Sequence, residues 1–494
     1  MKTNTAGARR EIIAFFMQEK SIKKNALLNV IRTGLSLIFP LITFPYTSRV
    51  LGPASIGQVS FAQSIITYFS MIAALGISNY GIREAARLRN DTEKLTVFTK
   101  EIFRINLISM TVAYLLFAIA LLCIPKFSSI ARLLCVCSGT IFFTSIGFDW
   151  LYSALEDYAY ITVRSFIFQV ISVVLLFALV KSPDDYIIYA GIGVVSGAGS
   201  NICNFFHTRK YIRWKQKIRY DCIKHVKPIF TLFAMTVVVS VYTVLDTVML
   251  GFITDSTQVG YYTAATKINK IVLSVVTAVS TVLLPRLSFY AEDKQSGRFE
   301  ELAEKGMKFL IIFALPATVG LTLVSYPTMI LFSGQQYVEA IPVMQVMNPI
   351  ILILSLSGLI GIQIFMPLRK EKYTLISVIG GAVVNFTLNL LLISRYGAMG
   401  AAIATVCAES VVTVTQLILA RHYFVWKNIL IHSVQCIVAV ICMGLAVYFV
   451  MSFFSSYFFQ LVVGVCAGII VYFIVLVLLR NKFLFDVLKV GIKR

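Results

Sequence analysis

Fourteen apolar runs, each long enough to cross a lipid bilayer, dominate this chain. A helix rises 1.5 Å per residue, so about 20 apolar residues cover a hydrocarbon core of ~30 Å. With 58% hydrophobic and 14% charged residues, the chain lies outside the usual range of soluble domains. The sequence therefore predicts an all-α polytopic membrane protein with about 14 transmembrane helices. The runs fall near residues 26–48, 57–77, 104–124, 130–152, 160–180, 186–206, 228–252, 260–283, 307–327, 341–366, 373–394, 397–420, 430–452 and 457–479. No signal peptide is expected, because the first run follows a long charged lead without a small-residue cleavage site.

The sequence pattern of the first two runs is repeated about 200 residues later. Leu51-Gly52 corresponds to Leu250-Gly251, Gly57 to Gly260, and Arg83 to Arg286. The last two pairs share one offset, so the spacing from turn glycine to arginine is the same in both copies. We interpret the chain as two related membrane lobes.

The formal net charge of +21 reflects membrane topology. Thirty-five lysines and arginines flank the runs on one side, against four on the other, namely Arg49, Lys126, Lys181 and Arg395. By the positive-inside rule, both termini are predicted to be cytoplasmic. The charge therefore requires no nucleic-acid partner.

The sequence gives little support for a catalytic site or a metal site. The nine cysteines are scattered and the four histidines lack metal-ligand spacing, so no metal site is expected. All predicted outer loops are short, which disfavours an enzyme. The best loops for a polysaccharide polymerase or ligase, Asp184-Asp185 and Ser325–Glu339, offer few polar residues.

Five basic residues lie inside the runs. Arg132 and Arg164 are close enough to an end to extend to the interface, and Arg32 lies about 10 Å from the inner surface. Lys267 and Lys270 are three residues apart, on one helix face, near the predicted bilayer centre. Such charges should face a water-filled cavity or a bundle interior. Two alternatives stay open for them: an anion-binding cavity, or a structural pair with an acid such as Asp246.

Two acids are equally deep, Asp246 in the seventh run and Glu409 in the twelfth. Either could carry a coupling H⁺ or Na⁺, or only neutralise a lysine. Arg83 and Arg286, at the predicted cytoplasmic mouths, could gather anionic headgroups or serve only as topology anchors. No other cofactor is expected.

Three stretches carry a family resemblance. They are FPLITFPYTSRVLGPASIGQVSFAQSIITYFSMIAALGISNYGIREAARLRN from Phe39, FDWLYSALEDYAYITVRS from Phe148, and PLRKEKYTLISVIGGAVVNFTLNLLLISRYGAMGAAIATVCAES from Pro367. The chain resembles the Wzx-type flippases, the polysaccharide-transporter branch of the multidrug/oligosaccharidyl-lipid/polysaccharide exporter superfamily. The resemblance covers nearly the whole chain.

The resemblance implies two pseudo-repeated six-helix lobes around a central cavity, plus two C-terminal helices. The corresponding division is a cytoplasmic N-terminal segment 1–24, an N-lobe 25–206, a basic linker 207–227, a C-lobe 228–423, helices 13 and 14 in 424–480, and an amphipathic tail 481–494.

The implied activity is translocation of undecaprenyl-pyrophosphate-linked oligosaccharides across the bacterial cytoplasmic membrane, for O-antigen, capsule or exopolysaccharide assembly. Implied partners are that lipid-linked oligosaccharide, membrane lipids and the polysaccharide polymerase machinery. Family members carry a cationic cavity, which Arg32, Lys267 and Lys270 could supply. A cation-coupled multidrug exporter of the same superfamily is the first alternative, and a polytopic polymerase or ligase the second.

Overall fold

The computed structural model describes residues 5–217, 219–278, 283–292 and 297–485. Its side chains are described at residue 34 and from residue 38 onward, apart from positions 235–236, 238–241, 283, 285 and 292 within those ranges. The described part of the chain is helical and contains no strand. The prediction of an all-α fold is confirmed.

The chain divides into two compact units. Unit 1 comprises residues 1–43 and 62–244, and unit 2 comprises residues 44–61 and 245–494. The first helix, α1 (Thr5–Ala74), and the tenth, α10 (Ile223–Ile253), each contribute residues to both units. The segment 44–61 therefore packs with unit 2, although it precedes most of unit 1 in sequence.

The remaining helices of unit 1 cover residues 77 to 207. They are α2 (Ile77–Leu88), α3 (Thr92–Cys123), α4 (Pro125–Ser129), α5 (Ala131–Ser145), α6 (Asp149–Ala154), α7 (Tyr158–Leu179), α8 (Tyr186–Val194) and α9 (Asn201–His207). A π-helical turn at Val195–Gly199 lies between α8 and α9. The glycine-rich stretch that begins at Gly191 therefore lies within helical structure.

The remaining helices of unit 2 begin after α10. They are α11 (Ser256–Ala278), α12 (Leu283–Glu292), α13 (Arg298–Leu323), α14 (Ser325–Ser333), α15 (Ala340–Met347), α16 (Ile350–Gly358), α17 (Glu371–Leu419), α18 (Trp426–Met451) and α19 (Tyr457–Leu478). The helix is interrupted beside Pro349, because α15 ends at Met347 and α16 begins at Ile350. The tail helix predicted for 481–494 lies outside the described residues from 486 onward.

Ten helical segments of the described residues are long and apolar enough to cross a membrane. Two of them, Ile38–Leu88 and Glu371–Leu419, have 51 and 49 residues, more than one crossing requires. The first contains two glycines with positive φ, Gly52 and Gly76, and the second contains one, Gly397; the helix is interrupted at each of them. The protein is a multi-pass membrane protein, and the count of 14 crossings stays a prediction.

The hydrophobic core of unit 1 is rich in aromatic residues. Phe98 packs edge-on against Trp150 with ring centroids 5.9 Å apart, and Phe148 packs edge-on against Trp214 at the same centroid distance. Trp214 comes from the basic linker, so the linker is part of this core. Burying large rings stabilises such a cluster strongly.

Polar side chains also hold the linker on unit 1. The Glu101 carboxylate, 1% exposed, accepts from the Asp221 backbone N–H (2.7 Å) and lies 2.9 Å from His225 Nε2. Lys100, 6% exposed, donates to the Trp214 and Gln216 carbonyls. The linker is therefore docked on α3.

One further bond ties the linker to the α6–α7 turn. The Tyr211 hydroxyl donates to Asp157 Oδ2 over 2.8 Å. Burial, followed by this bond to a carboxylate, raises the pKa of Tyr211 to about 12. The hydroxyl therefore remains protonated and keeps donating throughout the physiological pH range.

Candidate functional site

Lys267 and Lys270 lie on α11 of unit 2. The Lys267 ammonium is 4.1 Å from the centroid of the Phe44 ring, and its side chain is half-buried. Lys270, one turn later, is exposed. An ionisable residue within an apolar run is costly against lipid, so both lysines are expected to face water or protein.

Neither lysine forms an ion pair with a carboxylate in the part of the chain that the structure describes. Phe44 is an aromatic partner that favours a cation without neutralising it. Neither ammonium group is therefore held in an ion pair, although the Asp246 carboxylate lies near enough to Lys270 to attract it.

Asp246 is satisfied by neutral donors. It is 7% exposed, and its Oδ1 accepts from the side-chain amides of Asn385 (2.8 Å) and Asn389 (2.7 Å). Its Oδ2 accepts from the hydroxyls of Tyr262 (2.7 Å) and Thr405 (2.8 Å). Four hydrogen bonds compensate the burial of this carboxylate, and among the described residues no lysine or arginine forms an ion pair with it.

The groups around Asp246 are also capable of binding a cation. They supply hydroxyl oxygens and, on rotation of an amide, carbonyl oxygens, which are ligands that hard cations prefer. The amide oxygen of Asn389 is buried and has no hydrogen-bond partner. No group of three or more His, Cys, Asp or Glu residues with metal-binding geometry occurs among the described residues.

The other predicted site residues are spread over both units. Arg32 is on α1, and its side chain lies outside the described residues. Glu409 is half-buried on α17. Arg83, on α2 of unit 1, is exposed and pairs with Glu84 at 3.0 Å.

Arg286 is exposed on α12 of unit 2. It lines an open cavity of about 510 Å³ whose other walls come from α12 and α13. The lining contains three cations, one acid and exposed aromatic surface: Arg286, Arg298, Lys305, Glu301, Phe289 and Tyr290. Lys305 pairs with Glu301 at 2.6 Å, so the lining keeps a net positive charge.

A family model described as "Polysaccharide biosynthesis protein" matches residues 22–290, more than half of the chain. The chain belongs to this family. A putative O-antigen transporter from Shigella dysenteriae is 24% identical over 401 residues, which cover 80% of this chain and 99% of the relative. The resemblance to polysaccharide transporters is thereby confirmed.

Solved structures show the fold of this polysaccharide biosynthesis family member. A structure of the lipid II flippase MurJ in its inward closed conformation has a TM-score of 0.75 at 18% identity, covering 92% of this chain and 99% of that one. An inward-facing multidrug resistance MATE transporter of the MOP superfamily has a TM-score of 0.62 at 14% identity, covering 80% of this chain and 97% of that one. The fold is shared by flippases and drug exporters, so it does not decide between them.

Sequence reasoning found Asp246 but missed its four donors. Asn385 and Asn389 are four residues apart in an apolar run, a spacing that places both amides on one helix face. That pair was a usable signal. Thr405 gave none, because a threonine hydroxyl within a transmembrane helix usually bonds to its own backbone. Tyr262 gave none, because a single tyrosine in an apolar run carries no sign of its partner.

Proposed function

We propose that this protein is a flippase that moves oligosaccharide units linked to undecaprenyl pyrophosphate from the inner to the outer leaflet of a bacterial cytoplasmic membrane. Its family and its similarity to an O-antigen transporter support a role in O-antigen, capsule or exopolysaccharide assembly. The observation that carries the proposal is the pair Lys267 and Lys270, neither of which forms an ion pair with a carboxylate of the described residues.

The chemistry of the substrate explains why such charges are needed. A pyrophosphate with its attached glycan cannot leave water for ~30 Å of hydrocarbon without losing its hydration. Two ammonium groups one helical turn apart would replace part of that hydration, and Arg32 would add a third cation. The polyprenyl chain would remain in lipid while the lobes alternate access.

Arg83 and Arg286 would act earlier, at the cytoplasmic mouths. If both termini are cytoplasmic, both arginines lie at the inner leaflet, where anionic headgroups attract basic residues. The cavity beside Arg286 combines cations with exposed Phe289, which is 73% exposed. Such a surface suits a phosphate attached to an apolar chain.

Coupling of transport to H⁺ or Na⁺ would use Asp246, with Glu409 as the second candidate. The oxygen-rich shell of Asp246 fits either ion, because a proton or a cation would change which hydroxyls and amides donate to the carboxylate. Flipping measured in proteoliposomes under an imposed Na⁺ or pH gradient distinguishes the two ions. An Asp246→Asn protein that responds to the gradients as the wild type does would exclude Asp246.

The central experiment removes the two charges on α11. A strain carrying Lys267→Ala/Lys270→Ala should lose export of long-chain polysaccharide and accumulate the lipid-linked unit, whereas Lys267→Arg/Lys270→Arg should retain export. The control Lys215→Ala/Lys217→Ala removes the same charge from exposed linker positions and should export normally. Normal export by the first variant would refute the proposed role of these lysines.

The drug-exporter alternative predicts a different phenotype. A site for cationic drugs requires acids, and α11 presents two lysines instead. Deletion of the gene should therefore leave the resistance to cationic drugs unchanged. Increased drug sensitivity together with normal polysaccharide would favour the exporter.

A further inference from the structure

A second polar pocket lies within unit 1, distant in sequence from the lysines of α11. Its volume is about 100 Å³, and α2, α3, α5, α6 and α9 contribute to its lining. Asn106 and Asn201, 8% and 5% exposed, form the buried part. Ser78, Thr144 and the Asp149 carboxylate, which is 44% exposed, form the accessible part.

The pocket presents hydrogen-bonding atoms that the protein does not use. The side-chain oxygen of Asn106 is buried and has no hydrogen-bond partner, because only its amide nitrogen is engaged, by the Ser145 carbonyl. Asp149 Oδ1 accepts from Arg164 (3.0 Å) and Asn204 (2.7 Å), but Oδ2 accepts no bond from a described residue. A buried unpaired acceptor is costly unless a ligand or water completes it.

The charges in the pocket select a neutral partner. The Arg164 guanidinium, 5% exposed, lies 3.0 Å from Asp149 and balances its charge. The free acceptors of Asn106 and Asp149 would repel a phosphate, and the paired arginine removes the attraction for a cation. A neutral group with several O–H or N–H donors fits best.

The volume of the pocket and its aromatic residues further limit the kind of ligand that can bind. About 100 Å³ holds roughly three water molecules, which suits the hydroxyl-bearing edge of a sugar and excludes a whole oligosaccharide. Trp150 and Phe148 line the same pocket and supply apolar surface beside the polar atoms. Hydroxyl donors, carboxylate and amide acceptors, and an aromatic wall together match a monosaccharide.

We infer that this pocket is a glycan subsite, which binds the hydroxyl edge of one sugar of the transported oligosaccharide through Asn106, Asp149 and Asn201. The inference rests on the proposed function, since the sugar belongs to the oligosaccharide that the flippase would move. It also provides a source of glycan selectivity that does not involve the charged groups.

Ligand-observed NMR on the full-length protein in nanodiscs tests the subsite. The probes are glucose, galactose, rhamnose, N-acetylglucosamine and N-acetylgalactosamine, with inorganic pyrophosphate as the charged comparison. At least one sugar should bind saturably, and Asn106→Leu should weaken that binding about fivefold or more, the effect of one lost hydrogen bond. Asp149→Asn should also weaken the binding of that sugar.

A matched control lies on the same helix. Thr99 is also buried on α3 with an unpartnered side-chain oxygen, but it does not line the pocket. Thr99→Val should leave sugar binding unchanged. If no sugar of the panel binds, or if Asn106→Leu binds as the wild type does, the pocket holds only water and the inference is wrong.

The Lys267→Ala/Lys270→Ala protein separates this inference from the proposed function. It should bind the sugar normally and lose export. Loss of export without any sugar binding in the wild type contradicts only the glycan subsite. Sugar binding together with normal export by the lysine variant contradicts only the role of the lysines.

Discussion

Gly57 of α1 lies directly against the backbone of Gly260 on α11. A β-carbon at position 57 would be 2.8 Å from the Gly260 nitrogen and 1.7 Å from the Ser256 carbonyl oxygen. A β-carbon at position 260 would be 2.0 Å from the Pro53 carbonyl oxygen. The predicted internal repeat pairs these two glycines, and both belong to unit 2. Two small residues therefore lie where two helix backbones meet.

Adding a single methyl group at this crossing should destabilise unit 2. Gly57→Ala forces backbone atoms apart, and overpacking of this kind costs about 1–3 kcal/mol. Thermal unfolding of the purified protein, followed by size-exclusion chromatography, should show a lower midpoint. The control is Gly380→Ala on α17, where no atom lies within 4 Å of the added carbon. Equal midpoints for the two variants would contradict the close crossing.

Replacing Asp246 by asparagine should weaken unit 2 even though the side chain keeps its size. The amide has one acceptor oxygen, whereas the carboxylate has two, and each of the two accepts two bonds. Some of the four donors therefore lose their acceptor: Asn385, Asn389, Tyr262 and Thr405. Buried donors left unpaired cost about 1–3 kcal/mol. The thermal midpoint should fall for Asp246→Asn and stay unchanged for Asp184→Asn, an exposed position. An unchanged midpoint at 246 would show that the shell rearranges freely around the amide.

Loss of the Glu101 carboxylate should release the basic linker from unit 1. Glu101 contacts His225, Lys224 and the Asp221 N–H, and hydrogen bonds to a charged group are worth about 1.5–3 kcal/mol. Opening of the linker should become at least about tenfold more frequent.

Limited trypsin digestion measures this opening, because the linker contains several lysines and arginines. Glu101→Ala should be cleaved in the linker at least about tenfold faster than the wild type. Glu93 of the same helix is 73% exposed and 3.9 Å from Arg213, so Glu93→Ala is the matched control and should match the wild type. Similar cleavage rates for both variants would mean that the aromatic core alone holds the linker.

Periodicity and charge were sufficient to predict the helical membrane fold, because they are properties of contiguous stretches. The docking of the linker on unit 1 could not be predicted in this way. Lys100 was counted among the surface charges of a loop, yet it is buried and donates to carbonyls 114 and 116 residues away in sequence. Composition near a span end does not reveal such distant partners.

The candidate site was predictable to a similar extent. Depth along a helix identified Lys267, Lys270 and Asp246, since burial of a charge in an apolar run is visible in sequence. It did not reveal that Phe44, rather than Asp246, contacts Lys267. Rotation of each helix about its axis decides such contacts, and that rotation is set by packing between segments remote in sequence.

Arg164 is where the sequence prediction was wrong, and it yields the clearest stability test. Both Arg132 and Arg164 were expected to extend to the interface. Arg132 is exposed, but Arg164 is 5% exposed and bonds to Asp149, Asn201 and the Ser200 carbonyl. Its position beside three acceptors, fixed by α6 and α9, explains the difference.

Removing the Arg164 side chain removes its bonds to Asn201, the Ser200 carbonyl and the Asp149 carboxylate, and the loss of hydrogen bonds to a charged group costs about 1.5–3 kcal/mol. Arg164→Ala should therefore lower the thermal midpoint substantially, and Arg164→Lys should recover only part of it, since one ammonium cannot reproduce the planar guanidinium. Arg132→Ala removes the same group from an exposed position and should leave the midpoint unchanged. The measurement is thermal unfolding of the three variants in one detergent, and equal midpoints for the two alanine variants would show that Arg164 contributes no more to stability than a surface arginine.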